Sequence, residues 1–141
     1  MAPHSRQTIP LGEQLYFWRT HANWSRRQLA EHAGISISTV QHLEHGRGTL
    51  TYYQLALRAL GLKLYARGLG NRSLASALRR TRSDQIISRR ELARHLQVSR
   101  TTLAKFEENN SVRIATIEKY ARAIGVSLVV RPLPPDQKRK R

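Results

Sequence analysis

A chain that carries two copies of one pattern can fold only as two like units, and that constraint comes before any other here. Sliding the 141-residue sequence on itself by 63 positions aligns residues 11–44 with 74–107, and 12 of the 34 pairs are identical, where chance gives about 2. The matches include Leu11 with Leu74, Leu15 with Leu78, Ser25-Arg26-Arg27 with Ser88-Arg89-Arg90, Leu29-Ala30 with Leu92-Ala93, Ser36 with Ser99, Thr39 with Thr102 and Glu44 with Glu107. One extra residue then shifts the offset to 64, at which Arg58-Ala59-Leu60-Gly61 meets Arg122-Ala123-Ile124-Gly125, and Leu64 and Arg67 meet Leu128 and Arg131. The alignment divides the chain into a first unit over 1–67, a linker over 68–72, a second unit over 73–131 and a basic tail over 132–141.

Within each unit the apolar residues recur at helical spacing, and cap and turn residues fall between the runs. The spacing predicts a helix over 11–21 with Leu11, Leu15 and Trp18 on one face, and a second from cap Ser25 that turns Leu29, Ala30 and Ala33 inward and stops at Gly34. A third starts at cap Ser36 and buries Val40 and Leu43; a fourth spans 51–60 and ends at Gly61. The second unit predicts helices over 74–82, 89–96, 100–108 and 114–124. After each fourth helix the period drops to two, with Leu62, Leu64 and Ala66, then Val126, Leu128 and Val130, alternating with polar or outward residues. Each unit thus holds one strand, which needs a partner for its backbone and its apolar face, and the other unit's strand is the obvious one. The expected fold is mainly α: two tandem four-helix units joined by a small two-stranded antiparallel sheet, with Pro132, Pro134 and Pro135 ending it.

Charge points to the partner. Against 9 acidic residues stand 25 lysines and arginines, a net charge of +16, and arginine dominates, whose planar fork suits phosphate and guanine edges. The second half is the more basic. With no cysteines, disulfides, thiolate zinc sites, iron–sulfur ligation and cysteine nucleophiles are excluded. No apolar run nears the roughly 20 residues that span a bilayer, and residues 1–10 lack a signal peptide's hydrophobic stretch, so a cytoplasmic chain with no membrane partner is expected.

Leu29-Ala30, Gly34, Ile35-Ser36, Val40 and Leu43-Glu44 describe two helices joined by a tight turn. The run LGEQL, then WSRRQLAEHAGISISTVQHLEHG, then the LxxLRALG pattern, resembles the Cro/cI (XRE) family of helix-turn-helix DNA-binding domains over residues 11–61. The second copy, SRRELARHLQVSRTTLAKFEENN with KYARAIG, resembles it over 74–125. The strands are similar to those of HipB-like antitoxin repressors within that family, which pair across a dimer; here both lie in one chain, which implies a covalent pseudo-dimer. Gln97 stands where the first unit has Gly34, a turn position that often needs a left-handed backbone.

The resemblance implies that the third helix of each unit enters the major groove. Its base-contacting candidates are Ile37, Ser38 and His42 in the first unit and Arg100, Thr101 and Lys105 in the second, with Arg100 suited to guanine. Arg26, Arg27, Arg89 and Arg90, at the start of the second helix of each unit, and Arg47, Asn110 and Arg113, in the loop after the third, are the implied phosphate contacts. Residues 138–141 offer diffuse contacts or none.

The function expected is that of a sequence-specific double-stranded DNA-binding transcriptional regulator, most simply a repressor. The alternative is an antitoxin-like protein that neutralises a toxin-like partner and binds DNA secondarily; a homodimer stays open too. No cofactor and no metal are expected, since His42 and His45 lack further ligands and a helical counterpart in the second unit. Asp84 and Asp136 sit in a loop and the tail, with no glycine-rich phosphate loop and no paired carboxylates, so no enzyme is expected. Tyr16 and Phe17 lie off the core face, where the second unit has Arg79 and Arg80; packing against the other unit is expected of them, with a partner or homodimer patch as the alternative.

Overall fold

Hydroxyl caps set most of the helix starts in both units. The computed structural model describes residues 9–70, 73–109 and 112–134. The first unit holds α1 (Leu11–His21), α2 (Arg26–Ala33), α3 (Ile37–Glu44), α4 (Leu50–Ala59) and β1 (Leu62–Ala66); the second holds α5 (Leu74–Asp84), α6 (Arg89–Leu96), α7 (Arg100–Asn109), α8 (Ile114–Ala123) and β2 (Leu128–Pro132). Ser25 Oγ accepts from the Gln28 amide at 3.1 Å while the Gln28 side chain accepts from the Ser25 amide at 2.8 Å. Ser88 and Glu91 repeat this reciprocal cap at 3.0 and 3.1 Å, so two otherwise orphaned amides are satisfied at the start of α2 and of α6. Ser36 and Ser99 accept from the Thr39 and Thr102 amides, each at 2.9 Å.

The turn between α2 and α3 needs a left-handed residue, and Gly34 supplies it at φ 74°. Gln97 adopts the same conformation at φ 59° and ψ 42°, a strain of roughly 1 kcal/mol that glycine escapes. The second unit therefore keeps the same turn despite the substitution.

The described residues bury one continuous core. It runs from Leu11, Leu15, Leu29, Leu43 and Tyr53 in the first unit to Leu78, Leu103, Phe106, Ile117 and Tyr120 in the second. Between them lies the sheet, in which β1 and β2 pair antiparallel with Leu64 opposite Val130 and Tyr65 opposite Val129. The strands are exchanged: β2 lies against α1 of the first unit and β1 against α5 of the second.

The register reveals a pseudo-twofold axis. Tyr65 and Val129 are repeat equivalents at the offset of 64, so the axis passes between them. A second, independent contact obeys the same rule. Thr49 bridges Arg113, its own equivalent, with the Leu50 amide donating to the Val112 carbonyl at 2.8 Å and the Ile114 amide to the Gly48 carbonyl at 2.9 Å. Both contacts pair each unit with its counterpart, so the helices before them are related by the same axis.

The clasp also has an unsymmetrical part. The Gln14 side chain accepts from the Val130 amide and donates to the Leu128 carbonyl, both at 3.0 Å, holding α1 to β2 as a further strand would. Glu118 of α8 accepts from the Leu11 amide at 2.7 Å, capping α1 from across the axis. The second unit has Ala77 where Gln14 stands.

Several expectations need correcting. Asp84 ends α5 rather than lying in a loop, and the second strand starts at Leu128 rather than Val126. Trp18 is only half-buried; the inward place after Leu11 and Leu15 belongs to Arg19, whose charge is paired inside. Pro132 does not end the fold, since it pairs with Leu62 at an end of the sheet where it gives up no needed ladder bond. The buried Leu133 follows, its amide donating to the Gly61 carbonyl at 2.8 Å. Tyr16 and Phe17 do not pack against the other unit, being 51% and 56% exposed, because Gln14, on another face of α1, meets the exchanged strand instead. Asn71, Arg72, Pro135 and the tail over 136–141 lie outside the described residues.

Leu62, Leu64, Leu128 and Val130 are all buried in the clasp. At about 2 kcal/mol each they amount to roughly 8 kcal/mol, comparable with the whole net stability of a small domain. Separating the units by cleavage within 68–72 is therefore expected to leave a fragment 1–70 that melts well below the intact chain and without its cooperativity, as followed by circular dichroism. Equal cooperative melting of that fragment would contradict the clasp. Gln97→Gly is expected to raise stability by about 1 kcal/mol in chemical denaturation.

Candidate nucleic-acid interface

One buried carboxylate per unit ties three helices together. Glu44, at the end of α3, receives both Nε and one terminal nitrogen of Arg19 from α1, the latter at 3.1 Å, and Nε of Arg26 from α2 at 3.0 Å. Glu107 in α7 repeats this with Arg82 at 2.9 and 3.2 Å and Arg89 at 2.8 Å. The remaining terminal nitrogen of each inner arginine donates to a backbone carbonyl, Arg19 to Trp24 at 2.8 Å and Arg82 to Ile87 at 2.7 Å. A bidentate fork with its spare donor satisfied is the condition under which a buried ion pair holds rather than costs. Each carboxylate thereby fixes the third helix to the first and second.

The second unit adds a ligand. Tyr120 donates its hydroxyl to Glu107 at 2.5 Å, whereas the first unit has Ala56 at the equivalent position and spends its buried tyrosine, Tyr53, on the Leu11 carbonyl at 2.7 Å. Burial alone would push the Glu107 carboxyl up, but hydrogen bonds from Arg82, Tyr120 and Arg89 outweigh it and hold the carboxyl below its usual range. The Tyr120 phenol is pushed well up, first by burial and then by its hydrogen bond to Glu107.

Arg19 and Arg82 were not among the residues singled out from the sequence. Their signal was present: a basic residue shared by both copies, four positions after the shared Leu15 and Leu78 of an otherwise apolar face. Arg26 and Arg89 prove double-sided. Each commits Nε to the buried carboxylate, yet their side chains stay 38% and 41% exposed. They join the core to the surface at the start of α2 and α6.

The outward faces of α3 and α7 carry the other candidates. Ile37, Ser38 and His42 are exposed on α3, and Arg100, Thr101 and Lys105 on α7. Arg27 and Arg90 are exposed in the first turns of α2 and α6, where the helix dipole favours an anion. Arg47 is exposed in the loop after α3, and Arg113 is exposed at the axis itself, opposite Thr49. Asn110 lies outside the described residues. His45 is tied back by Nδ1 to the Gln41 carbonyl at 2.8 Å, and no group of three or more histidines and carboxylates that could hold a metal occurs among the described residues.

Comparison with known protein families matches each unit separately. A model described as a helix-turn-helix domain covers residues 10–64, and one described as helix-turn-helix covers 78–130. The chain is a tandem of two XRE-type helix-turn-helix units. No curated protein and no solved structure matched it in the corresponding comparisons. Helix-turn-helix domains support a DNA-binding regulator, and families of this kind are typically non-enzymatic. No helix among the described residues is long and apolar enough to cross a membrane.

The depressed Glu107 carboxyl makes the helix-turn-helix geometry acid-sensitive. A group whose folded pKa lies below its unfolded one stabilises fully above the ordinary glutamate range, near pH 4.3, and loses that contribution as pH falls through the folded value. Glu107→Gln is expected to lower stability by about 3 kcal/mol at neutral pH, because Arg82 would remain buried without its counter-charge. The acid limb of its denaturation profile should be flatter than that of the wild type, and an unchanged limb would detach the acid sensitivity from Glu107.

Proposed function

We propose that the chain is a transcriptional repressor that binds one asymmetric site on double-stranded DNA. The observation that carries this reading is the pseudo-twofold axis relating α3 to α7, combined with the different residues the two helices expose. Two helices so related address two half-sites of one duplex, about 10 base pairs apart. Ile37 offers only an apolar contact suited to a thymine methyl, while Arg100 can grip guanine O6 and N7 and Lys105 can reach a guanine or a phosphate. Ser38, His42 and Thr101 complete the two reading faces.

Around them lies a sequence-independent frame. Arg26 and Arg89 stay 38% and 41% exposed beyond their Nε bond to the carboxylate, and Arg27, Arg90, Arg47 and Arg113 are exposed as well. Asn110 belongs to the same proposed set by its place in the sequence. Steric exclusion of polymerase needs nothing beyond such binding, which makes repression the simplest outcome.

Selection from random duplex DNA followed by footprinting, with chain-to-DNA stoichiometry measured alongside, tests the reading. The expected site is non-palindromic, occupied by one chain, with a guanine-bearing half under α7. Arg100→Ala should cost about 1 to 3 kcal/mol of affinity and relax preference at that guanine, while Ile37→Ala should cost less. Arg89→Ala should weaken all sequences alike. Neutralising roughly 6 to 10 phosphates gives a log-log salt slope of about −5 to −9. A slope flatter than about −2, or a perfect palindrome protected by a single chain, would overturn the proposal.

A further inference from the structure

The two repeats differ sharply at a surface that neither the core nor the reading helices explain. On the outside of α1, Phe17 stacks on His21 with ring centres 5.6 Å apart and meets Trp18 edge-on at 5.5 Å, while Trp18 meets His21 edge-on at 6.0 Å. Tyr16 stands beside them, with Arg19 over its ring at 5.3 Å. Tyr16 and Phe17 remain 51% and 56% exposed, so the cluster is anchored by Trp18 against the core and still open. Large exposed rings of this kind mark an interaction surface.

At the offset of 63, α5 carries Arg79, Arg80 and Asp84 in the places of Tyr16, Phe17 and His21, and all three are exposed. The second unit folds with arginines there, so the fold itself does not demand the rings. What the two faces share is complementarity. Guanidinium groups favour aromatic faces, the Asp84 carboxylate suits the His21 imidazole, and the exposed Glu13 on α1 offers the arginines a counter-charge.

We propose that the α1 face of one chain docks on the α5 face of a second copy, head to tail. Like faces match less well: α5 against α5 brings two arginine pairs together with only Asp84 to offset them, and α1 against α1 brings rings and Glu13 together with no exposed arginine or lysine to meet them, Arg19 being buried and committed to Glu44. The pseudo-twofold axis that carries α1 onto α5 also separates the two faces in one molecule, so each chain has a donor face and an acceptor face. Such a heterologous contact leaves one face free at each end and propagates, placing neighbours in the same polarity. This inference goes beyond DNA binding and does not depend on it.

Sedimentation velocity of the full chain, from micromolar to submillimolar concentration at low salt, tests the contact. Tyr16→Ala with Phe17→Ala removes one face, and Arg79→Ala with Arg80→Ala removes the other; all four side chains are exposed and outside the reading faces. The wild type is expected to associate without a fixed end point, and each double variant alone to associate roughly tenfold more weakly or less. An equimolar mixture of the two variants, joined through its one intact pair of faces, should form a one-to-one dimer that grows no further. Variants that melt with the wild-type transition exclude misfolding as the cause. A wild type that stays monomeric throughout, or an Arg79/Arg80 variant that dimerises alone through α1, overturns the proposal.

Discussion

The carboxylates of Glu44 and Glu107 are the points on which the rest of each unit depends. Three helices of eight to eleven residues are each too short to be stable alone, and apolar packing between them is non-directional. The paired guanidinium fork supplies the direction: it admits one distance and one plane, and so fixes how the third helix sits on the first two. Removing either partner would strand a buried charge, which is why the geometry is held firmly even though an ion pair adds little net stability over apolar packing. Arg26 and Arg89 extend this network outward, so a phosphate bound there would meet a cation whose position is already set from inside.

The second constraint is the unpaired strand. Each unit ends in one strand, and a lone strand leaves backbone groups and an apolar face exposed. Exchanging the strands solves both needs at once, since β1 and β2 satisfy each other's ladder and each covers the opposite unit's first helix. Gln14 and Glu118 then act as polar staples across the axis, taking up backbone groups that the sheet and α1 would otherwise leave to water. The axis is thereby defined at both the sheet and the Thr49–Arg113 bridge, which lie at opposite ends of α4 and α8.

Much of this was legible because the same signals occur twice. Ser25 and Ser36, matched by Ser88 and Ser99 in the second copy, announced helix starts through cap chemistry that is local to the backbone, and the change of period after Gly61 and Gly125 announced the strands. What the sequence hid was any interaction whose partners are far apart in the chain. Arg19 reads as an ordinary surface arginine until Glu44 is seen 25 residues away. Gln14 reads as a solvated position until the exchanged strand arrives from 116 residues away. Tyr16 and Phe17 misled for the opposite reason: aromatic rings are usually buried, and nothing local says that the inter-unit contact falls on another face of α1.

Comparing the two copies separates what holds the fold from what faces outward. The arginine–glutamate pairs and the serine caps are the same in both; the residues exposed on α3 and α7, and on the outer faces of α1 and α5, are not. In a homodimer any change to a reading residue appears in both half-sites at once, so the two halves cannot be tuned apart. Joining the copies in one chain removes that linkage and also removes the concentration dependence of dimer formation, because the second helix arrives at an effective concentration set by the linker. On the proposed reading, Ile37 and Arg100 can then diverge while the axis between the units stays fixed by the sheet and the Thr49–Arg113 bridge. On that same reading the covalent link and the divergence of the two surfaces are parts of one arrangement: the first makes the second tolerable, and the second gives the first a use that an identical pair would not have.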